Sequence, residues 1–235
     1  MKIILEFTKT GDLIYISHLD LSRLFLRVLR MQGLRPAYSH GFNPHPKMSL
    51  VLPLSVGLNS LCELLEFETE SRFGEAEIAA ASEAINERLP EGLRLIGCQE
   101  KPAYVSKPLA SLVSAATYEF MCEGVRGAPE LLSAFFGRES VIIGRHDKKT
   151  GRDVEKEIRA EMLDYRIIKD MRGRMLAEAT LSALPGATLN PTVFFRAFCR
   201  ASGLPADELS PVITRTAILG KDGRALIGMP DPEDF

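Results

Sequence analysis

The segment Ser17–Gly33, SHLDLSRLFLRVLRMQG, is the most informative stretch of the chain about its fold. Ser17 is a good N-cap residue, and Gly33 follows the last residue of a periodic pattern. Between them, apolar residues recur at helical spacing and basic residues fall on the opposite face. The apolar positions are Leu21, Leu24, Phe25, Val28 and Leu29, and the basic positions are Arg23, Arg27 and Arg30. The pattern predicts an amphipathic helix that packs on a sheet and exposes three arginines.

Strand-like runs lie on both sides of this helix. They are residues 2–8 (which 12–16 extend or pair with), 34–39, 48–52, 62–69 and 93–99. A second helix is predicted over residues 74–89, where alanine and glutamate dominate and Pro90 and Gly92 follow. The resulting order β-α-β-β-α-β is the ferredoxin-like pattern. Right-handed crossovers then put both helices on one face of an antiparallel sheet.

The second half repeats this order loosely. Its predicted elements are a strand at 114–122, a helix at 128–136, a strand at 139–144, a charged connection at 145–159, a hairpin turning at 171–173, a helix at 191–201 and a last strand at 211–219. Prolines and small residues cluster at 101–111. The sequence therefore predicts an α+β protein with two tandem ferredoxin-like (βαββαβ) domains, residues 1–104 and 105–235.

Composition narrows the class of protein. The chain has 235 residues and a net charge of −2, although basic residues outnumber acidic ones in its first 60 residues. The four cysteines are scattered, without the close spacing that zinc ribbons and iron–sulfur clusters require. No apolar run approaches the roughly 18 residues of a membrane span, and the N-terminus does not resemble a signal peptide. We expect a cytoplasmic protein with no membrane association, no bound metal and no cofactor.

The densest group of functional side chains is the segment Ser39–Lys47, SHGFNPHPK, which we call the SHGFNPHPK loop. Its two prolines restrict the residues before them, Asn43 and His45, to extended geometry. A stiffened loop loses little entropy on binding. We predict a ligand-binding or RNA-binding site at Ser39, His40, Gly41, Phe42, Asn43, His45 and Lys47, with Arg23, Arg27 and Arg30 as a phosphate-contacting face. The alternative is a solvated surface turn beside a solvated helix face.

Two narrower hypotheses involve the histidines. His18 near Asp20, or His45, is a weak candidate for a general base. A metal site would combine His40 and His45 with His18 or Asp20, but a spacing of five residues within a loop is not an established ligand pattern. We therefore predict no metal site.

Three phrases of the sequence carry a family resemblance: SHLDL from Ser17, YSHGFNPHP from Tyr38 and PLSVGLNS from Pro53. Over about residues 12–68 the chain resembles the radical SAM-linked protein family, a domain of unknown function. Such domains occur fused to cobalamin-binding radical SAM proteins or are encoded beside them. The resemblance implies a radical SAM enzyme as partner and a context rather than a reaction. Our leading hypothesis is an accessory or substrate-recognition protein for that enzyme, which binds RNA and has no catalytic activity of its own.

Two alternatives stay open. Paired ferredoxin-like domains with a histidine near the first helix also resemble the repeat-processing endoribonucleases of CRISPR systems. Such an enzyme would act without a metal, with His18 or His45 as base and Lys47 or an arginine stabilising the charge. The other alternative is a protein-interaction module that does not contact nucleic acid.

Overall fold

The computed structural model describes residues 1–147, 151–171 and 173–227. Lys148–Thr150, in the charged connection, and Arg172, in the predicted hairpin turn, lie outside the described residues. Contacts divide the chain into two compact units, Met1–Val113 with the residues from Arg224 onward, and Ser114–Gly223. The proline-containing stretch 101–111 lies in the first unit. The domain limits 1–104 and 105–235 stay predictions.

The first unit has the element order expected from the sequence. It contains β1 (Lys2–Lys9), α1 (His18–Met31), β2 (Met48–Leu50), β3 (Asn59–Glu68), α2 (Glu75–Asn86) and β4 (Leu93–Glu100). Its strands are ordered β4-β1-β3-β2, and every neighbouring pair is antiparallel. Leu5 at the centre of β1 pairs with Leu65 on β3 and Cys98 on β4.

Both helices of this unit pack on the same face of the sheet, as the crossover argument predicts. The buried cluster combines one face of β1, β3 and β4 with the apolar faces of α1 and α2. The rings of Phe7 on β1 and Phe25 on α1 are 4.6 Å apart and fully buried. Helix α1 begins as predicted, because the Ser17 hydroxyl accepts the Asp20 amide at 3.1 Å.

Two local strand predictions are wrong. Residues 34–39 form isolated bridges, Pro36 with Thr69 and Tyr38 with Pro46, rather than a strand. Residues 12–16 are not strand: Gly11–Tyr15 form a short 3₁₀ helix. Gly11 has a φ of 57°, a conformation that glycine adopts readily, and β1 ends just before it. The chain therefore leaves the sheet at Gly11 and turns toward the start of α1.

The second unit contains nine strands and helices in its described residues. They are β5 (Val113–Glu123), α3 (Ala128–Phe136), β6 (Ile142–Asp147), β7 (Arg152–Glu157), β8 (Met162–Met171), β9 (Arg174–Leu184), β10 (Ala187–Thr188), α4 (Pro191–Ala201) and β11 (Val212–Gly220). Its main sheet runs β11-β5-β9-β8, and β10 pairs with the end of β9. Strands β6 and β7 form a separate two-stranded ribbon. Strand β6 begins in the strand predicted at 139–144, and the rest of the ribbon lies in the segment predicted as a charged connection.

The core of the second unit is rich in phenylalanine. Rings from β5, α3 and α4 contact one another, as in the pairs Phe120–Phe194 at 5.4 Å and Phe135–Phe198 at 5.7 Å. The described residues thus form a mixed helix-and-sheet protein with four α-helices, which agrees with the α+β class. None of these helices is long and apolar enough to cross a membrane.

Candidate functional site

The SHGFNPHPK loop is closed at its base by backbone contacts. The Ser39 amide donates to the His45 carbonyl oxygen at 2.8 Å, and the His45 amide donates to Ser39 Oγ at 3.0 Å. One residue further out on each side, Tyr38 and Pro46 form an antiparallel bridge. Ser39 therefore has a structural role within the predicted set, because its amide and its hydroxyl both hold the two ends of the loop together.

The tip of the loop projects its side chains outward. His40, Phe42, Asn43 and His45 are exposed, and Gly41 has a φ of 126°, which strongly favours glycine. Phe42 has a relative exposure of 112%, so its ring packs against nothing in the chain. A phenylalanine is costly to leave in water, and a fully exposed one at a loop tip is suited to contact a ligand.

Lys47, at the end of the loop, forms an ion pair with Glu68 at the end of β3. Lys47 Nζ lies 3.0 Å from Glu68 Oε1, and both side chains are 38% exposed. The Lys47 hydrogen bond lowers the pKa of the Glu68 carboxyl below its usual value. Sequence reasoning missed Glu68, because only the long-range pairing of β2 with β3 brings it to Lys47.

The arginines of α1 differ in their surroundings. Arg30 donates to the Tyr38 hydroxyl, and its guanidinium carbon lies 5.6 Å from the centre of the Tyr38 ring. Arg30 thus contacts Tyr38, the residue that immediately precedes the loop. Arg23 forms an ion pair with Asp20 at 3.0 Å on an exposed face, and Arg27 is exposed. Of the three arginines, Arg30 is the one whose contacts tie it to the loop.

The histidine hypotheses find little support in side-chain contacts. His18 is the exposed first residue of α1, and His45 is exposed in the loop. Among the described residues, the partners of the Asp20 carboxylate are Ser17 and Arg23 rather than His18. These two contacts, with the Ser17 hydroxyl first, lower the pKa of Asp20. Nor do three or more His, Cys, Asp or Glu side chains converge as metal ligands anywhere in that part of the chain.

The cysteines are separate from this site. Burial raises the pKa of the Cys98 thiol to about 11. Burial, with a smaller contribution from Cys122, raises that of Cys199 to about 12. Both thiols are therefore protonated at neutral pH, whereas metal ligation and nucleophilic chemistry require the thiolate.

The fold and the loop together define a mixed helix-and-sheet protein that presents an exposed, stiffened loop from its N-terminal unit. The model of a bacterial family, DUF2344, described as "uncharacterized protein conserved in bacteria", matches residues 2–191. The match covers most of the chain, including α1, the loop and β3, so the protein belongs to this family. A comparison with curated proteins found no match.

Proposed function

We propose that this protein is a substrate-recognition protein that binds RNA through the SHGFNPHPK loop and presents it to a partner radical SAM enzyme. The observation that carries the proposal is the full exposure of Phe42 on a loop closed by backbone hydrogen bonds. Aromatic side chains stack on unpaired bases and contribute about 1–3 kcal/mol per base. Because the loop is already closed, little entropy is lost when it binds.

The proposed fold agrees with this function. The first unit has the order β-α-β-β-α-β and the sheet order β4-β1-β3-β2. The long strands of the second unit are, along the chain, β5, β8, β9 and β11, and its main sheet has the order β11-β5-β9-β8. In both units, therefore, the fourth strand lies beside the first, the first beside the third and the third beside the second. We propose that both units are ferredoxin-like domains, the second with an inserted ribbon. Many RNA-binding domains contain a four-stranded sheet, although a fold alone does not define a function.

Charge near the loop also favours a polyanionic ligand. Arg27 and Arg30 are exposed on α1, and Arg30 reaches the loop through Tyr38. Phosphate contacts of this kind position a nucleic acid without reading its sequence. With a net charge of −2 over the whole chain, we expect such binding to be local and modest in its salt dependence.

The proposed partner follows from the motif resemblance, and two structural features are compatible with it. The third motif phrase contacts the segment just before the first, because the Gly57 amide donates to the Ile14 carbonyl oxygen at 2.8 Å. Tyr15, Leu19 and Val56, in or next to these phrases, are exposed apolar residues of the kind found in protein interfaces.

A capture experiment tests this proposal. The tagged full-length chain and its Phe42→Ala variant are each recovered from native lysate, and the bound RNA and proteins are identified. We expect RNA and a radical SAM enzyme with the wild type, and a clear loss of RNA with the variant. A wild-type sample without RNA contradicts the proposed ligand, and recovery of other proteins alone favours an interaction module.

A second candidate function, metal-independent RNA cleavage, is favoured by the exposed position of His18 at the start of α1. In that reaction the ribose 2′-oxygen attacks the adjacent phosphorus and the 5′-oxygen leaves. The products are a 2′,3′-cyclic phosphate and a 5′-hydroxyl. Incubation of labelled RNA with the protein in EDTA would give these ends and would fail with His18→Ala or His45→Ala. Intact RNA under these conditions rules the reaction out for the sequences tested.

A further inference from the structure

A cleft of about 360 Å³ opens beside the base of the SHGFNPHPK loop. It is lined by residues that include Pro46, Met48 and Pro108 and the charged residues Lys2, Lys47 and Glu68. Small-molecule pockets usually measure roughly 300–1,000 Å³, so this cleft suits a ligand group no larger than one nucleotide.

The charges in the cleft differ in their availability. Glu66, which also lines it, is nearly buried and already bound: its two carboxylate oxygens accept from Lys101 Nζ at 2.6 Å and from the Leu109 amide at 2.8 Å. The Lys47–Glu68 pair remains 38% exposed on both sides. Lys2 supplies a further positive charge in the cleft. A ligand therefore meets one ammonium–carboxylate pair and an additional cation.

The backbone holds this pair in place before any ligand binds. The Glu68 amide donates to the Lys47 carbonyl oxygen at 2.9 Å. The Ala37 amide donates to the Glu68 carbonyl oxygen, and the Lys47 amide donates to the Ala37 carbonyl oxygen, each at 2.7 Å. Three backbone hydrogen bonds therefore connect Ala37, Lys47 and Glu68. Preorganised donors and acceptors select a ligand by the pattern of its own groups.

A carboxylate beside an ammonium matches one nucleobase better than the others. The two carboxylate oxygens accept from two neighbouring N–H groups, and the ammonium donates to an adjacent oxygen. The Watson–Crick edge of guanine presents N2–H, N1–H and O6 in that order. Adenine, cytosine and uracil each present a single N–H donor position on this edge, so each engages the carboxylate through one position only.

We propose that the Lys47–Glu68 pair recognises the Watson–Crick edge of an unpaired guanine bound in this cleft. The proposal rests on the proposed RNA-binding function and makes its ligand more specific. In this arrangement Glu68 accepts from guanine N1–H and N2–H, Lys47 donates to O6, and Lys2 lies near the phosphate. A free guanine nucleotide has the same recognition chemistry as a guanine in RNA.

Binding of labelled oligouridine carrying one central test base measures this preference. We expect guanine to bind about fivefold to a hundredfold more tightly than adenine, cytosine or uracil, which is the range by which a bidentate base contact discriminates. Inosine, which lacks the N2 amino group, should weaken binding by several fold. 7-Deazaguanine, which retains the whole Watson–Crick edge, should bind like guanine.

Two variants and one control locate the contact. Glu68→Gln and Lys47→Gln should each remove the guanine preference while retaining the wild-type melting temperature to within a few degrees. Glu100→Gln, on the exposed end of β4 in the same unit, should leave the preference unchanged. If Glu68→Gln unfolds the protein, the inosine comparison on the wild-type chain decides the question alone.

The outcomes separate this proposal from the proposed function. RNA binding with equal affinity for all four test bases, or with a cytosine preference, overturns guanine recognition and leaves RNA binding intact. Binding of GMP by a protein that does not bind RNA overturns the RNA function. It supports the guanine site with a free nucleotide as ligand. RNA binding that GMP does not displace, but that retains the guanine preference, supports RNA as the source. Failure to bind either overturns both.

Discussion

The two units differ most in the connection that follows their first helix. In the first unit the chain passes from α1 to β2 through the SHGFNPHPK loop, and in the second it passes from α3 to β8 through the β6–β7 ribbon. The ribbon pairs six residues on each strand, from Ile142 with Glu157 to Asp147 with Arg152. The loop has one bridge, between Tyr38 and Pro46, and the two hydrogen bonds between Ser39 and His45.

The ribbon and the loop differ in the hydrogen-bond partners of their polar side chains. At the base of the ribbon, the Glu157 carboxylate accepts from the Ser140 hydroxyl and from the Val141 and Arg159 amides. In the loop, by contrast, the backbone closes the base and the side chains of His40, Phe42 and Asn43 point outward. The ribbon's polar groups thus stabilise the ribbon itself, and the loop retains side chains for a ligand. The same position in the order of elements is a hydrogen-bonded ribbon in one unit and a loop with exposed side chains in the other.

The largest effect should come from removing the support beneath the loop. Phe25 is fully buried against Phe7, so Phe25→Ala should lower the free energy of unfolding by about 3–5 kcal/mol, measured by urea denaturation. Phe135→Ala in the core of the second unit is the matched variant and should cost a similar amount. A cost below about 1 kcal/mol for Phe25→Ala would mean that α1 does not hold the loop by packing.

A substitution of the exposed Phe42 should distinguish the loop from the ribbon in RNA binding. Phe42→Ala should weaken binding of single-stranded RNA by about 1–3 kcal/mol, roughly fivefold to a hundredfold, because a stacked base is lost. Its melting temperature should match the wild type, since the ring has no packing contact. Val154→Ala, an exposed apolar residue of the ribbon, serves as the control and should leave affinity unchanged. Equal losses in the two variants would remove the distinction between the regions.

A smaller effect is expected at the closure of the loop. Ser39→Ala removes the hydroxyl that accepts the His45 amide and should cost about 1 kcal/mol in stability. RNA affinity should fall as well, because the open loop must be ordered on binding. Thermal unfolding and fluorescence anisotropy measure the two effects. Unchanged affinity in a destabilised variant would show that the loop's closed conformation is not required for binding.

The ribbon should become less stable in acid. Hydrogen bonds, first from Ser140 and then from the Val141 and Arg159 amides, lower the pKa of Glu157 from 4.5 to about 2. A carboxyl whose pKa is lowered in the folded state stabilises fully above its unfolded value and loses that contribution as pH falls. Amide exchange in β6 and β7 should therefore become faster as pH falls from about 4.5 toward 2, relative to exchange in unstructured peptides. Glu157→Gln should show already faster exchange at pH 6 and less change with acid.

The smallest effect should come from the helix face. Arg27→Ala should reduce RNA affinity by a few fold and lower the slope of log affinity against log salt by about one, as expected for one lost phosphate contact. Arg94→Ala, on the exposed face of β4, is the control. An unchanged salt slope would leave α1 without a role in RNA binding.

Local signals in the sequence were sufficient for the helices of the first unit. Helix α1 was predicted to within one residue because Ser17 caps it and its apolar face repeats regularly. Residues 12–16 were assigned to strand from their β-prone composition, and the prediction failed because a positive φ at Gly11 turns the chain out of the sheet. Strand propensity does not include such a turn.

Long-range pairing explains what the sequence could not supply. The SHGFNPHPK loop is recognisable from its composition, but its ion-pair partner Glu68 lies on a strand whose register follows from packing. The start of β6 falls in the strand predicted at 139–144, but the sequence predicts a charged connection for the rest of the ribbon, because charged side chains outnumber apolar ones in it. Its stability comes from cross-strand hydrogen bonds and Glu157, which no local periodicity reveals.

Photo-crosslinking of bound RNA, followed by mass spectrometry of the protein, compares the loop and the ribbon in a single sample. Uridine and 4-thiouridine crosslink to aromatic side chains that stack on them, so a contact at Phe42 leaves a mass-shifted peptide. The account predicts crosslinks in the peptide containing Ser39–Lys47, lost in Phe42→Ala, with those in the ribbon at background level. Crosslinks concentrated in β6 and β7, with the SHGFNPHPK loop unmodified, would contradict it.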